Sequence, residues 1–75
     1  MPLTPEEKRF IKKLGKRIVA IRKEKGIRQK DFSDRLDMDD GSLRRIESGR
    51  TNPTTTTLLS IAKALKVDMS ELFKF

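Results

Sequence analysis

The stretch RQKDFSDRLDMDDGSLRRIESGRTN, residues 28–52, decides the fold of this chain. Its apolar residues are few and their spacing is informative. Phe32 and Leu36 are four apart, on one face of a short helix that starts near Gln29 and ends near Leu36. Asp37 follows where the chain needs a left-handed residue, a conformation that Asp tolerates better than most non-glycine residues. Met38 stands alone between polar neighbours, so it is expected to plug the angle between two helices. Asp39 is a good N-cap for a second helix. That helix runs to about Ser48, turns Leu43 and Ile46 inward, and is stopped by Gly49.

The 75 residues suffice for one small domain with one core, expected to span 1–75. A domain of this size buries only about 60% of its unfolded surface, so its stability is marginal. Cysteine and histidine are both absent. Disulfides, thiolate metal sites and the usual general base are thereby excluded. No nucleophile–base pair or phosphate-cradling glycine loop is present, so no enzyme, cofactor or metal is expected. No apolar run approaches the roughly 18 residues of a membrane span. The N-terminal MPLTPEEKRF lacks the apolar core of a signal peptide, so a cytoplasmic protein is the default expectation.

The net charge of +7 suits a nucleic-acid partner, although a solvated basic surface is the plainer account. Its distribution is uneven. Residues 1–25 hold nine Lys/Arg against three Glu, a balance of +6. Residues 26–53 hold six of each sign and are neutral, and residues 54–75 carry +1. Charge alone therefore points to the N-terminal helix, not to residues 28–52.

Around that stretch the chain reads as further helices. Thr4, Pro5 and Glu7 make a strong helix start, with a capping box and proline at the first helical position. The helix continues to about Lys25 and stops at Gly26. Leu14, Ile18 and Ile21 form its core stripe. Phe10 and Ile11 extend the stripe by a turn, either packing within the monomer or contacting a second copy. After Asn52–Pro53, Thr54 caps a helix from about Thr55 to Leu65, with Leu58, Ile61, Ala62 and Leu65 inward and Leu59 outside that face. Asp68 and Glu71 give a cap signature for a last short helix carrying Met69, Leu72 and Phe73.

Two short helices at a steep angle around a tight turn are a helix-turn-helix, whose second helix can enter a major groove. Gln29, Phe32, Leu36, Met38, Leu43, Ile46, Glu47, Gly49, Asn52 and Pro53 resemble the pattern of the phage repressor and Cro (XRE-like) family. Leu14–Gly26 resembles that family's first helix, and Thr57–Phe73 its fourth and fifth. The resemblance implies an all-α, five-helix fold of the lambda-repressor type, with the helix-turn-helix at about 28–49; the first helix read above, at about 5–25, extends beyond the family's, which usually begins near Leu14. Its small members include restriction–modification controller proteins, phage repressors and antitoxin-type regulators. Three residues depart from the pattern: Arg28 replaces a capping Ser or Thr, Ser33 an Ala, and Asp37 a Gly. Asp39 and Asp40 also make the start of the second helix acidic.

The resemblance assigns base reading to Asp40, Gly41, Ser42 and Arg45. Arg44 and Arg45 are also of the type that grips guanine O6 and N7 in a fork, the alternative being a solvated surface. Gly41 has no side chain and is expected to permit close approach rather than to read. Gln29 begins the first helix of the motif, where a phosphate can meet its side chain and backbone N–H. Arg28, Lys30, Arg50, Thr51 and Asn52 are the other candidates for holding the DNA backbone. By resemblance, Arg22 and Glu47 form a structural ion pair between the first helix and the reading helix. The expected function is regulation of transcription by a homodimer on a pseudo-palindromic double-stranded operator. Leu59, Met69, Phe73 and Phe75, with Phe10, are the candidate dimer contacts. No small-molecule ligand is expected. The alternative is a protein-interaction module that keeps the fold without specific DNA reading.

Overall fold

A computed structural model describes residues 2–75. These contain four α-helices, one terminal 3₁₀ helix and no strand. Helix α1 runs Pro5–Glu24, α2 Gln29–Arg35, α3 Asp40–Glu47 and α4 Thr55–Leu65, and the 3₁₀ helix runs Met69–Phe73. The expected fifth α-helix is thus a correction. Asp68 stands at its N-cap but its side chain caps nothing, and Glu71 N–H bonds back three residues to Asp68 O at 2.9 Å. The Glu71 carboxylate is drawn elsewhere, to Lys74 and to Arg17 of α1. Those contacts hold it below its ordinary pKa, first through the Lys74 hydrogen bond and then through the charges of Lys74 and Arg17. Leu72 is nevertheless fully buried, so the turn still closes the core.

Each helix start follows from its cap. The Thr4 hydroxyl accepts from Glu7 N–H while the Glu7 carboxylate accepts from Thr4 N–H. Asp39 accepts from Ser42 N–H at 3.0 Å, and Thr54 from Thr57 N–H at 3.2 Å. Of the four α-helices only α2 begins without a side-chain cap, because Arg28 cannot accept a hydrogen bond.

All four α-helices end in the same way. A left-handed residue turns the chain, and two backbone N–H groups fold back onto the last carbonyls. Gly26 and Gly49 take that position at φ 72° and 77°, and Asp37 and Lys66 at φ 52° and 59°. At the turn between α2 and α3, Asp37 N–H reaches Asp34 O at 3.1 Å and Met38 N–H reaches Ser33 O at 3.0 Å. Met38 and Leu36 pack half-buried against the core. At Lys66 the sequence shows only a short turn, with nothing to mark a left-handed residue.

The core joins Leu14, Ile18 and Ile21 of α1 to Phe32, Leu43, Ile46, Leu58, Ile61, Leu65 and Leu72. The close packing of α1 against α3 depends on Gly15. A Cβ built there would lie 2.6 Å from both Ile46 O and Glu47 O, so the helices meet backbone to backbone. One turn earlier on α1, Gly49 rests on Lys12 in the same way, with a Cβ falling 2.7 Å from Lys12 Cα. At the other edge of α1, Phe10 stacks on Phe73, centroids 6.3 Å apart, and meets Phe75 edge-on at 5.2 Å. Phe10 thus packs within the chain, yet it stays 48% exposed.

Candidate nucleic-acid interface

Helix α3 is fixed at both ends by side chains, and those contacts decide which groups it presents. At its C-terminal end, Glu47 is buried and accepts three hydrogen bonds. Two come from Arg22 of α1, Nε to Oε2 at 2.8 Å and Nη2 to Oε1 at 3.3 Å. The third comes from the Gln29 amide at 2.7 Å. Arg22 also donates to Ile27 O at 3.0 Å. One carboxylate therefore ties the end of α3 to α1 and to the start of α2. Gln29, the leading phosphate candidate, has its amide engaged inside the protein, so a phosphate would meet its backbone N–H or its remaining amide hydrogen.

At the N-terminal end, the Asp40 carboxylate faces α2. It is bonded to the hydroxyl of Ser33, which is fully buried and also lies 2.8 Å from Lys30 O. Two departures from the family pattern, at positions 33 and 40, thus meet in one contact. Among the described residues Asp40 forms no ion pair with Arg44, and its carboxylate is turned toward the interior. Its neighbour Asp39 accepts from Ser42 twice, from the hydroxyl at 2.6 Å and from the N–H at 3.0 Å. Those bonds, the hydroxyl first, lower the Asp39 pKa, and the Arg45 charge adds to them.

Between these anchors the outer face of α3 carries Arg44 and Arg45, both exposed. Arg45 leans back along the helix and donates to the Ser42 hydroxyl at 3.2 Å. A Cβ at Gly41 would lie 3.5 Å from an Arg45 guanidinium nitrogen and 3.9 Å from one of Arg44. Both guanidinium groups therefore fan over the bare backbone of Gly41. Gly41, Arg44, Arg45, Gln29 and Arg50 line one open groove, whose other wall is Val19 and Lys23 of α1.

The remaining candidates lie outside this groove. Arg28 and Lys30 are exposed and pair with Asp31 at 3.3 Å and Asp34 at 3.8 Å, contacts that contribute little in solvent. Asn52 lines a separate hollow with Phe10 and Phe75, at the N-terminal part of α1. Val19, Lys23, Gly15 and Ser33 were not read from the sequence as parts of the site. The lysine spacing on α1 was the available signal for Lys23, and the departure from the family pattern was that for Ser33.

A family model described as helix-turn-helix matches residues 18–72. The chain belongs to the helix-turn-helix family. Its match begins at Ile18, so the first part of α1, Pro5–Arg17, precedes it. Among helix-turn-helix relatives, the uncharacterized HTH-type transcriptional regulator y4dJ of Sinorhizobium fredii is 38% identical over 81% of this chain and 79% of its own length. The immunity repressor protein of Bacillus phage phi105 is 36% identical over 79% of this chain, which spans only 41% of that repressor. The restriction-modification controller protein C.AhdI of Aeromonas hydrophila superposes with a TM-score of 0.81 at 28% identity, covering 84% of this chain and 96% of its own. No helix of the described residues is long and apolar enough to cross a membrane.

Proposed function

We propose that this protein regulates transcription by binding double-stranded DNA as a homodimer on a pseudo-palindromic operator. Helix α3 enters the major groove. Arg44 and Arg45 read base edges, while Gly41 lets the backbone of α3 come close. Ser42 orients Arg45. Arg28, the backbone N–H of Gln29, Lys30, Arg50, Thr51 and Asn52 hold phosphates. The reading rests above all on one observation: two exposed arginines, with no ion pair among the described residues, converge on Gly41 in a basic groove, on a helix anchored at both ends. Anchoring supports specificity, because a reading helix must hold its side chains at fixed positions relative to the base pairs.

One domain of this size makes few base contacts, so specific binding calls for two copies with reading helices about 34 Å apart. Leu59, Phe73 and Phe75 are 45%, 39% and 51% exposed, and together with Phe10 and the half-buried Met69 they supply apolar surface for a partner copy. A cytoplasmic, nucleoid-associated protein is consistent with this reading.

The rival is a protein-interaction module, suggested by the acidic start of α3. That argument is weakened by where the acids go, since Asp39 caps its own helix and Asp40 is bonded to Ser33. Duplex titration over a range of salt, with random and selected sequences, tests the two. A steep salt dependence with sequence preference supports the regulator. Binding without preference, or none, supports the module.

A further inference from the structure

The charge pattern of this chain poses a question that its helix-turn-helix does not answer. The motif is neutral, and the basic excess lies on α1. With about 100° between successive residues of an α-helix, Lys12, Lys16, Val19 and Lys23 fall within a stripe about 60° wide. The core stripe Leu14–Ile18–Ile21 lies nearly opposite. Between the two lie Gly15 and Arg22, the residues that touch Glu47 of α3. The lysine stripe therefore runs just outside the seam between α1 and α3. Two contacts fix this placement. Gly49, at the end of α3, packs on Lys12, and Lys23 shares a groove with Arg44 and Arg45.

Such a stripe has a structural cost. Like charges four apart on a helix repel, and Lys12 and Lys16 are such a pair. Among the described residues, none of these three lysines has an acidic partner within ion-pair distance, whereas Lys30, Lys74, Arg17 and Arg28 each have one. From Lys12 to Lys23 the stripe is about 16 Å long. Duplex DNA carries a phosphate on each strand every 3.4 Å or so of helix axis, so that length can meet several.

We propose that Lys12, Lys16 and Lys23 form a phosphate track on α1, beside the reading helix, that binds the sugar–phosphate backbone bordering the groove entered by α3. The track supplies affinity and salt dependence, and α3 supplies sequence preference. This proposal rests on the DNA-binding reading, and the experiment separates their failures.

The test compares wild type, the triple variant Lys12→Gln/Lys16→Gln/Lys23→Gln, and a control of equal net charge, Lys13→Gln/Lys25→Gln/Lys63→Gln. Each is titrated with a selected and a random duplex between 50 and 200 mM salt, and helical content is checked by circular dichroism. Losing three phosphate contacts lowers the slope of log affinity against log salt by about 2.7. Over this fourfold salt range, the wild type then loses roughly 40-fold more affinity than the triple variant, and the control behaves as wild type. The triple variant keeps the wild-type ratio between selected and random duplex. An unchanged slope in the triple variant, or an equal drop in the control, overturns the track and leaves the regulator reading intact. A wild type without sequence preference but with a slope that the triple variant loses overturns specific reading and keeps the track. No duplex binding by the wild type overturns both.

Discussion

Replacing Glu47 with alanine should destabilise this protein more than almost any other single polar change. Glu47 accepts three hydrogen bonds, at 2.7, 2.8 and 3.3 Å, from Gln29 and Arg22. The Arg22 and Glu47 side chains are only 9% and 5% exposed. Truncation leaves the Arg22 guanidinium buried with Ile27 O as its remaining acceptor. Breaking such a pair from one side costs about 3–5 kcal/mol. A chain of this length has a total stability of roughly 4–11 kcal/mol, so the variant forfeits a large share of it. The melting midpoint should fall by roughly 12–40 °C, at about 4–8 °C per kcal/mol for a domain of this size. The double variant Arg22→Met/Glu47→Leu removes both charges and keeps the volume, so it should melt well above the single variant. Thermal and urea unfolding followed by circular dichroism measure both. A Glu47→Ala variant within about 1 kcal/mol of wild type, or a double variant no better than the single, would refute the account of a buried, mutually dependent pair.

Gly15→Ala should also destabilise, although alanine in a free helix interior gains about 1 kcal/mol over glycine. The added methyl meets two backbone oxygens at 2.6 Å, and forcing α1 and α3 apart should give a net loss of at least about 1 kcal/mol in urea unfolding; a gain would mean the helices separate freely. Asp40→Asn keeps the shape near Ser33 and removes a charge from the N-terminal end of α3. It should strengthen binding to selected and random duplexes by similar factors, since the carboxylate is bonded to Ser33; a selective loss on the preferred site would show Asp40 to be a base reader. The Asp39 carboxyl titrates below its ordinary value of 3.8, so the stability it contributes is complete above that pH and is lost as pH falls through the lowered value. Asp39→Asn retains a capping oxygen without that titration, so its melting midpoint should approach that of wild type below about pH 3.8; a constant gap down to pH 2 would contradict the cap's charge dependence.

Local chemistry made most of the fold legible. Thr4 with Glu7, Asp39 and Thr54 act within one helical turn, so their caps could be read from spacing. Phe32, Leu43 and Ile46 announced their faces in the same way. What escaped the sequence depends on distant residues. Gly15 looks like a weak point in a helix until Glu47 arrives against it from α3. Ser33 and Asp40 read as two separate oddities, and only the turn between α2 and α3 makes them partners. Gln29 reads as a free polar side chain, yet Glu47, eighteen residues away, claims its amide. Lys66 adopts φ 59° because packing of Val67 and Leu72 requires the chain to turn there, against the local preference of lysine. The last helix is 3₁₀ rather than α, and the Glu71 acid expected to help cap it pairs instead with Arg17 of α1 and with Lys74.

The central claim, that α3 reads base pairs through its arginines, is tested most directly by selecting bound sequences from a random duplex library with wild type and with Arg45→Ala. Wild type should enrich a two-fold symmetric site with half-sites about one helical turn apart. Arg45→Ala should lose preference at one base pair per half-site and about 1–3 kcal/mol on the wild-type site, while its affinity for random duplex changes little. Enrichment of no sequence by the wild type, or an equal loss by Arg45→Ala on every duplex, would contradict it.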